Sequence, residues 1–435
     1  MRQKMLVAMI IVSMCVVGLS GNAMAAAKEF KLGVLFSMTG AFAPAGALAG
    51  YRGTMVAVDM INERGGIAGE YKVVPVVADA QSNPDIAIRE GQRLMTVEDV
   101  PVVLGVFSSG IAVPLAPMAE QNKKIFWVII AISDKVVQDR HLKYTFRVQP
   151  MGSQWGKSTV MMFNENLDKF GAKSASDLKV AVIHEDGPYG SSVAAANIAQ
   201  AKEFGMDVVL EEAYSHKTND LSSLILKLKS AKPDVILHTG YFPDVVLFFR
   251  QARELGLRTK AIEGHGAGHA NLPKLAEAAG GELMNYCFNV DPAPAQLLDR
   301  GKLDAGIGDL IGEFLKRYEE KFQVSDPPTH ATQGFGHTWI LLHDVLPLAL
   351  EKYGDLSPDS IRKAALEIDL QDGATPCGYG VKFAPPDSAL SGQNLRSYPV
   401  VVQSVNGKLN IAWPDALQTA APVIPLPADS PYSMQ

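Results

Sequence analysis

Cysteine is scarce in this chain: three in 435 residues. One of them, Cys15, falls in an N-terminal segment with the features of an export signal, described below. That leaves Cys287 and Cys377, too few to replace a hydrophobic core with a disulfide framework. In an oxidising compartment the two either pair or stand as separate buried thiols. Past residue 27 no stretch is apolar for long enough to cross a bilayer as a helix. Runs of like charge are also missing, and the formal net charge is −6, so nothing electrostatic favours nucleic acid as a partner. Catalytic signatures are absent as well. There is no nucleophile elbow, no glycine-lysine phosphate loop and no pair of histidines around a glutamate. His184-Glu185-Asp186 has acid–base residue types but lies at a strand end with no nucleophile. His265 and His269 are separated by glycines, which argues against a helix presenting both to one metal. His337 and His343 read as packing or surface residues. The expectation is a protein that is not an enzyme and has no cofactor and no metal site.

What is present begins at the N-terminus. Arg2 and Lys4 precede an apolar run from Met5 to Leu19, and Ala23-Met24-Ala25 supplies a small-x-small cleavage pattern. This predicts a signal peptide over 1–25, an exported protein, and a periplasmic location. Met14 stands before Cys15 where a lipoprotein needs a small residue. The rest is 47% hydrophobic across the chain and long enough for two domains with separate cores.

Short β-rich runs alternate with helical spacing. Strands are predicted at Lys31–Phe36, Lys72–Ala78, Val102–Val106 and Ile125–Ile130. Helices are predicted at Ala47–Asn62, Ala87–Glu98 and Pro114–Gln121, the first stopped by Gly65-Gly66. Continuously apolar strands separated by helices imply a parallel sheet covered on both faces. The rhythm restarts at Gln154, with strands Lys179–His184, Val208–Glu211 and Val235–Thr239 and helices between them. After Asp291 come helices at Gly312–Lys321, His337–Lys352 and Ser357–Ile368. Antiparallel hairpins are expected from Gly380 onward, with Asn406-Gly407 as a tight turn. The proline-rich tail Pro422–Pro427 is expected to lie extended on the surface.

In open parallel sheets, ligands sit at the carboxyl ends of strands. One strand ends in Gly105–Gly110 (GVFSSG) just before a helix. Ser108 and Ser109 there either bind an anion at the helix N-terminus or cap the helix. Ile130-Ala131-Ile132-Ser133 brings a second serine to the next strand end.

These segments carry a family resemblance. KLGVLFSMTG at Lys31–Gly40, AVDMINERGGIAG at Ala57–Gly69 and LGVFSSGIAVPLAPMAE at Leu104–Glu120 resemble the periplasmic leucine/isoleucine/valine-binding proteins. HEDGPYG at His184–Gly190, HTGYFPD at His238–Asp244 and ARELGL at Ala252–Leu257 continue the resemblance. It implies the α/β fold of a type I periplasmic binding protein: two doubly wound parallel-sheet domains joined by a three-segment hinge. The lobes would comprise 26–147 with 291–397, and 148–290 with 398–435. The ligand's carboxylate would fall to Ser109, with Ala131 and Ser133 beside it. Tyr189 and Tyr241 would come from the second lobe. Where that family carries a tyrosine in the first loop this chain has Ala45. Its ammonium-binding glutamate falls near His265 and a side-pocket aromatic near His330, with Glu263 as the alternative carboxylate. A neutral histidine compensates a buried ammonium poorly. The ligand is therefore expected to be a small-molecule carboxylate that is branched-chain-like, aromatic or otherwise organic. The resemblance also implies ABC permease subunits as partners, with a monomeric receptor. The other class of partner is a signalling protein that reads ligand occupancy.

Overall fold

A computed structural model describes residues 28–434, so the predicted signal peptide and Cys15 lie outside the described residues. Among the described residues no helix is long and apolar enough to cross a membrane. The chain opens with β1 (Lys28–Phe36), α1 (Leu48–Glu63) and β2 (Tyr71–Asp79). Next come α2 (Pro84–Thr96), β3 (Val102–Gly105), α3 (Ser109–Asn122), β4 (Ile125–Val128) and β5 (Thr145–Arg147). The strands form one parallel sheet in the order β2-β1-β3-β4-β5. β3 and β4 are buried at every residue, as a sheet covered on both faces requires. Two readings change here. α3 starts at Ser109 rather than Pro114, because Ser108 caps it by accepting from Gly110 N–H at 3.2 Å and both prolines are carried inside the helix. β5 was not expected, since three residues are too few to show a period.

The second unit runs through α4 (Gly152–Glu165), β6 (Lys179–Glu185), α5 (Pro188–Phe204), β7 (Asp207–Tyr214) and α6 (Ser222–Ala231). It continues with β8 (Val235–Thr239), α7 (Phe242–Glu254), β9 (Ala261–His265), α8 (Ala267–Ala270), α9 (Leu272–Ala279) and β10 (Phe288–Asp291). The helices α10 (Ile307–Phe322), α11 (Thr329–Trp339), α12 (Leu346–Tyr353) and α13 (Pro358–Glu367) follow. α11 and α12 are joined through a π-helical turn at Ile340–Val345, so the helix read from His337 begins at Thr329. This group returns to the first sheet. The indole of Trp127, buried completely on β4, donates to the His337 carbonyl at 2.9 Å, and the His337 ring meets the Ile129 carbonyl at 2.8 Å.

β11 (Val400–Val405) and β12 (Lys408–Trp413) form a hairpin on the edge of the second sheet, whose order is β12-β11-β10-β9-β8-β6-β7. Asn406 (φ 51°) and Gly407 (φ 75°) make its turn, the backbone a two-residue hairpin loop demands. Between Gly380 and Ser397 there are only isolated bridges, so a single hairpin forms where several were expected. The chain therefore passes between the two sheets after β5, after β10 and before β11.

The tail also departs from expectation. Leu426 N–H donates to the Lys260 carbonyl at 2.8 Å, and the Tyr432 hydroxyl to the Phe249 carbonyl at 3.0 Å. Both side chains are buried in the second core, so apolar residues among and after the prolines anchor the segment. Cys287 and Cys377 are separate buried thiols, not a disulfide. Burial pushes each up to about 12, which leaves almost no thiolate at neutral pH. Iodoacetamide is expected to modify neither in the native protein and both after unfolding without reductant. A mass showing fewer than two adducts in the unfolded protein would contradict this.

Candidate functional site

The strand orders locate the site. In the first sheet the order reverses between β1 and β3, in the second between β6 and β8. Loops leaving such reversals diverge and leave a crevice. The strand-to-helix junctions after β3, β6 and β8 carry Phe107-Ser108-Ser109, Tyr189 and Tyr241. They face one another across the two lobes. Ser108 Oγ and the Tyr241 hydroxyl lie 3.0 Å apart. The Phe42 ring, from the loop before α1, sits 4.6 Å from the Tyr241 ring. Asp134 N–H donates to Ser192 Oγ at 3.0 Å, a further bond across the cleft. The lobes are thus closed on each other.

Between them lies a cavity lined by Phe107, Ser109, Ile130, Ile132, Trp155, Tyr189, Tyr241, Ala267 and His330. No lining side chain is an acid, a lysine or an arginine. Burial pushes His330 down to about 3, so it is neutral. Tyr189 and Tyr241 are raised well above their ordinary value, by burial first and then by neighbouring tyrosine and acidic groups. Two buried polar atoms here have no partner: Trp155 Nε1 and His330 Nδ1. An indole N–H can only donate. Ser109 Oγ accepts from Ser133 N–H at 3.1 Å, which leaves its own proton to donate. The cavity is apolar-walled with several neutral donors, a set suited to an anionic oxygen.

Two glycines make this packing possible. A Cβ on Gly46 (φ 137°) would fall 1.9 Å from His330 Nδ1. One on Gly266 (φ 57°) would fall 2.2 Å from the Trp155 ring. Tyr241 is held from behind by Asp244, which accepts from its N–H at 3.1 Å and from the Tyr214 hydroxyl at 2.7 Å. Burial raises Asp244 to about 7.

Of the residues singled out from sequence, Ser109, Tyr189, Tyr241 and His330 line the cavity, and Ser108 borders it through Tyr241. The others do not line it. After β4 the chain bends at Ile129 and Ile130, and the residues that follow divide between cavity and core. Ile130 and Ile132 face the cavity, Ala131 packs into the core behind, and the Ser133 hydroxyl caps the next turn through Lys135 N–H. His265 turns into the second lobe, where its ring meets Thr159, Asn197 and Thr239 hydrogen-bonding atoms at 3.1–3.3 Å. Only its carbonyl serves the site, accepting from the Tyr189 hydroxyl. Glu263 lies on the same strand face, accepting from the Thr159 hydroxyl at 2.8 Å, and burial holds its carboxyl well above the usual carboxylate range. Ala267, two residues past His265, occupies the cavity wall instead. Ala45 is buried away from it, and Phe42 supplies the first loop's aromatic ring, so no room opens there. Trp155, Phe107 and Ala267 were missed. Trp155 carried one signal, a large aromatic one turn into the helix after a lobe crossing.

For metal chemistry, Glu185, Asp186 and His216 are the one group among the described residues with ligand atoms within 4.8 Å of one another. Glu185 spends both oxygens on the start of α5, accepting from Gly187 and Gly190 N–H at 2.8 and 2.6 Å. His265 and His269 form no such group.

A closed cleft between two parallel α/β lobes, crossed three times by the chain, is the type I periplasmic binding protein fold. A leucine-binding protein of Thermotoga maritima superposes with a TM-score of 0.72 at 22% identity, over 88% of this chain and 97% of that one. A solute-binding protein of an R. palustris ABC transporter, solved with benzoate, gives 0.71 at 18%, over 92% and 98%. The chain belongs to the periplasmic binding protein family, whose model matches residues 29–400. The Leu/Ile/Val-binding protein homolog 7 of Brucella suis is 33% identical over 406 residues, 93% of this chain and 96% of that one.

Proposed function

We propose that this protein is the periplasmic solute-binding component of an ABC importer. In this reading it captures a small carboxylate that lacks an α-ammonium group, an aromatic or branched organic acid, as its lobes close. The lobes comprise 26–147 with 291–397, and 148–290 with 398–435. The observation that carries the ligand class is the wall itself: it includes neutral donors and no carboxylate. A buried ammonium without a counter-charge is costly. A carboxylate among Ser109, the α3 N-terminus and the Trp155 indole is well served. With the lobes closed the cavity is only about 20 Å³, about the room of one water, so in this reading the lobes part to take up the acid.

A thermal-shift panel of benzoate, other aromatic acids, 4-methylpentanoate, leucine and valine tests the reading. A ligand at 100 times its Kd adds about 2.7 kcal/mol of stability. The acids without an amine are expected to raise the melting temperature, and leucine and valine to do so less. Stabilisation by the amino acids alone would overturn the ligand class.

A further inference from the structure

Arg147, the last residue of β5, is completely buried behind the cavity. Its Nε donates to Gln393 Oε1 at 2.6 Å and its Nη1 to the Ser133 carbonyl at 2.6 Å. Its Nη2 is buried with no hydrogen-bond partner. The guanidinium has no carboxylate in contact. The charged group that acts on it, Asp134, accepts from Ser153 N–H at 3.1 Å at the start of α4. Burial pushes the guanidinium down to about 10, which leaves it charged at neutral pH.

An ion buried with no carboxylate in contact is unfavourable, and this one sits beside the site. Ser133 joins the two. Its carbonyl accepts from Arg147 Nη1, and its N–H donates to Ser109 Oγ, which lines the cavity. We propose that Arg147 is the hidden counter-charge of the bound carboxylate, selecting anions over neutral isosteres across the Ser133 backbone without touching the ligand. The inference rests on the carboxylate reading above. It makes Arg147 a positioning and specificity residue. Its field is weakly screened because protein, not water, fills the gap.

The test compares acids with their amides, benzoate with benzamide and 4-methylpentanoate with 4-methylpentanamide, in the wild type, Arg147→Lys and Arg147→Met. Arg147→Met is expected to weaken binding of the acids at least tenfold and of the amides less than twofold, with Arg147→Lys within about threefold of wild type. Equal losses for acid and amide, or equal losses for acids in the two variants, would make Arg147 a structural brace and overturn the proposal. If Arg147→Met does not fold, the wild type still decides. Its preference for acid over amide is expected to hold within twofold between 0.1 and 1 M NaCl, and a collapse of that preference would overturn the proposal. A wild type that binds neither acid defeats the carboxylate reading and the inference with it. A wild type that binds both while Arg147→Met keeps its preference defeats the inference alone.

Discussion

Ala267→Glu is expected to reduce carboxylate binding at least a hundredfold. Ala267 forms part of the cavity wall, close to the strand-to-helix junctions that carry Tyr189 and Tyr241. A glutamate there faces the ligand's carboxylate in a buried site, and like charges set together cost several kcal/mol. A loss of about 2.7 kcal/mol is already a hundredfold. The same carboxylate would match an ammonium, so the variant is expected to prefer leucine over 4-methylpentanoate. Calorimetry on wild type, Ala267→Glu and the isosteric control Ala267→Gln measures both effects. Unchanged affinity for 4-methylpentanoate in the glutamate variant would place the ligand elsewhere.

Ser109→Ala is expected to weaken acid binding tenfold or more. The Ser109 hydroxyl already accepts from Ser133 N–H, so the proton it has to give is directed to the ligand. A hydrogen bond to a charged group contributes roughly 1.5–3 kcal/mol. The substitution also strands the Ser133 N–H, which lies on the path between Arg147 and the cavity. Ser108→Ala is the control, because its hydroxyl serves Gly110 N–H and Tyr241 rather than the cavity. Equal affinities for Ser109→Ala and wild type would remove Ser109 as the anchor.

The fold was largely legible because buried parallel strands have no polar face to hide. Runs such as Val102–Gly105 and Val235–Thr239 are buried at every position, and glycines and caps mark the helix ends between them. The serine-bearing strand end was legible for the same reason, since ligand loops follow strand ends in such sheets. What could not be read was direction. Whether Ile130 and Ile132 or Ala131 and Ser133 face the cleft depends on how the chain bends as it leaves β4. Whether His265 or Ala267 forms the wall depends on the backbone reversal at Gly266, whose positive φ turns the chain between them. Trp155 reaches the site only because the chain crosses between lobes just before α4. The burial of the tail and the separation of the two thiols are likewise long-range facts, set by which elements the second sheet brings together.

The cleft is proposed to take a carboxylate, and its wall supplies no acidic side chain to an ammonium. Leucine and 4-methylpentanoate differ by that one group, so parallel calorimetric titrations of the unmodified protein test the claim most directly. The account predicts tighter binding of 4-methylpentanoate. Tighter binding of leucine would contradict it.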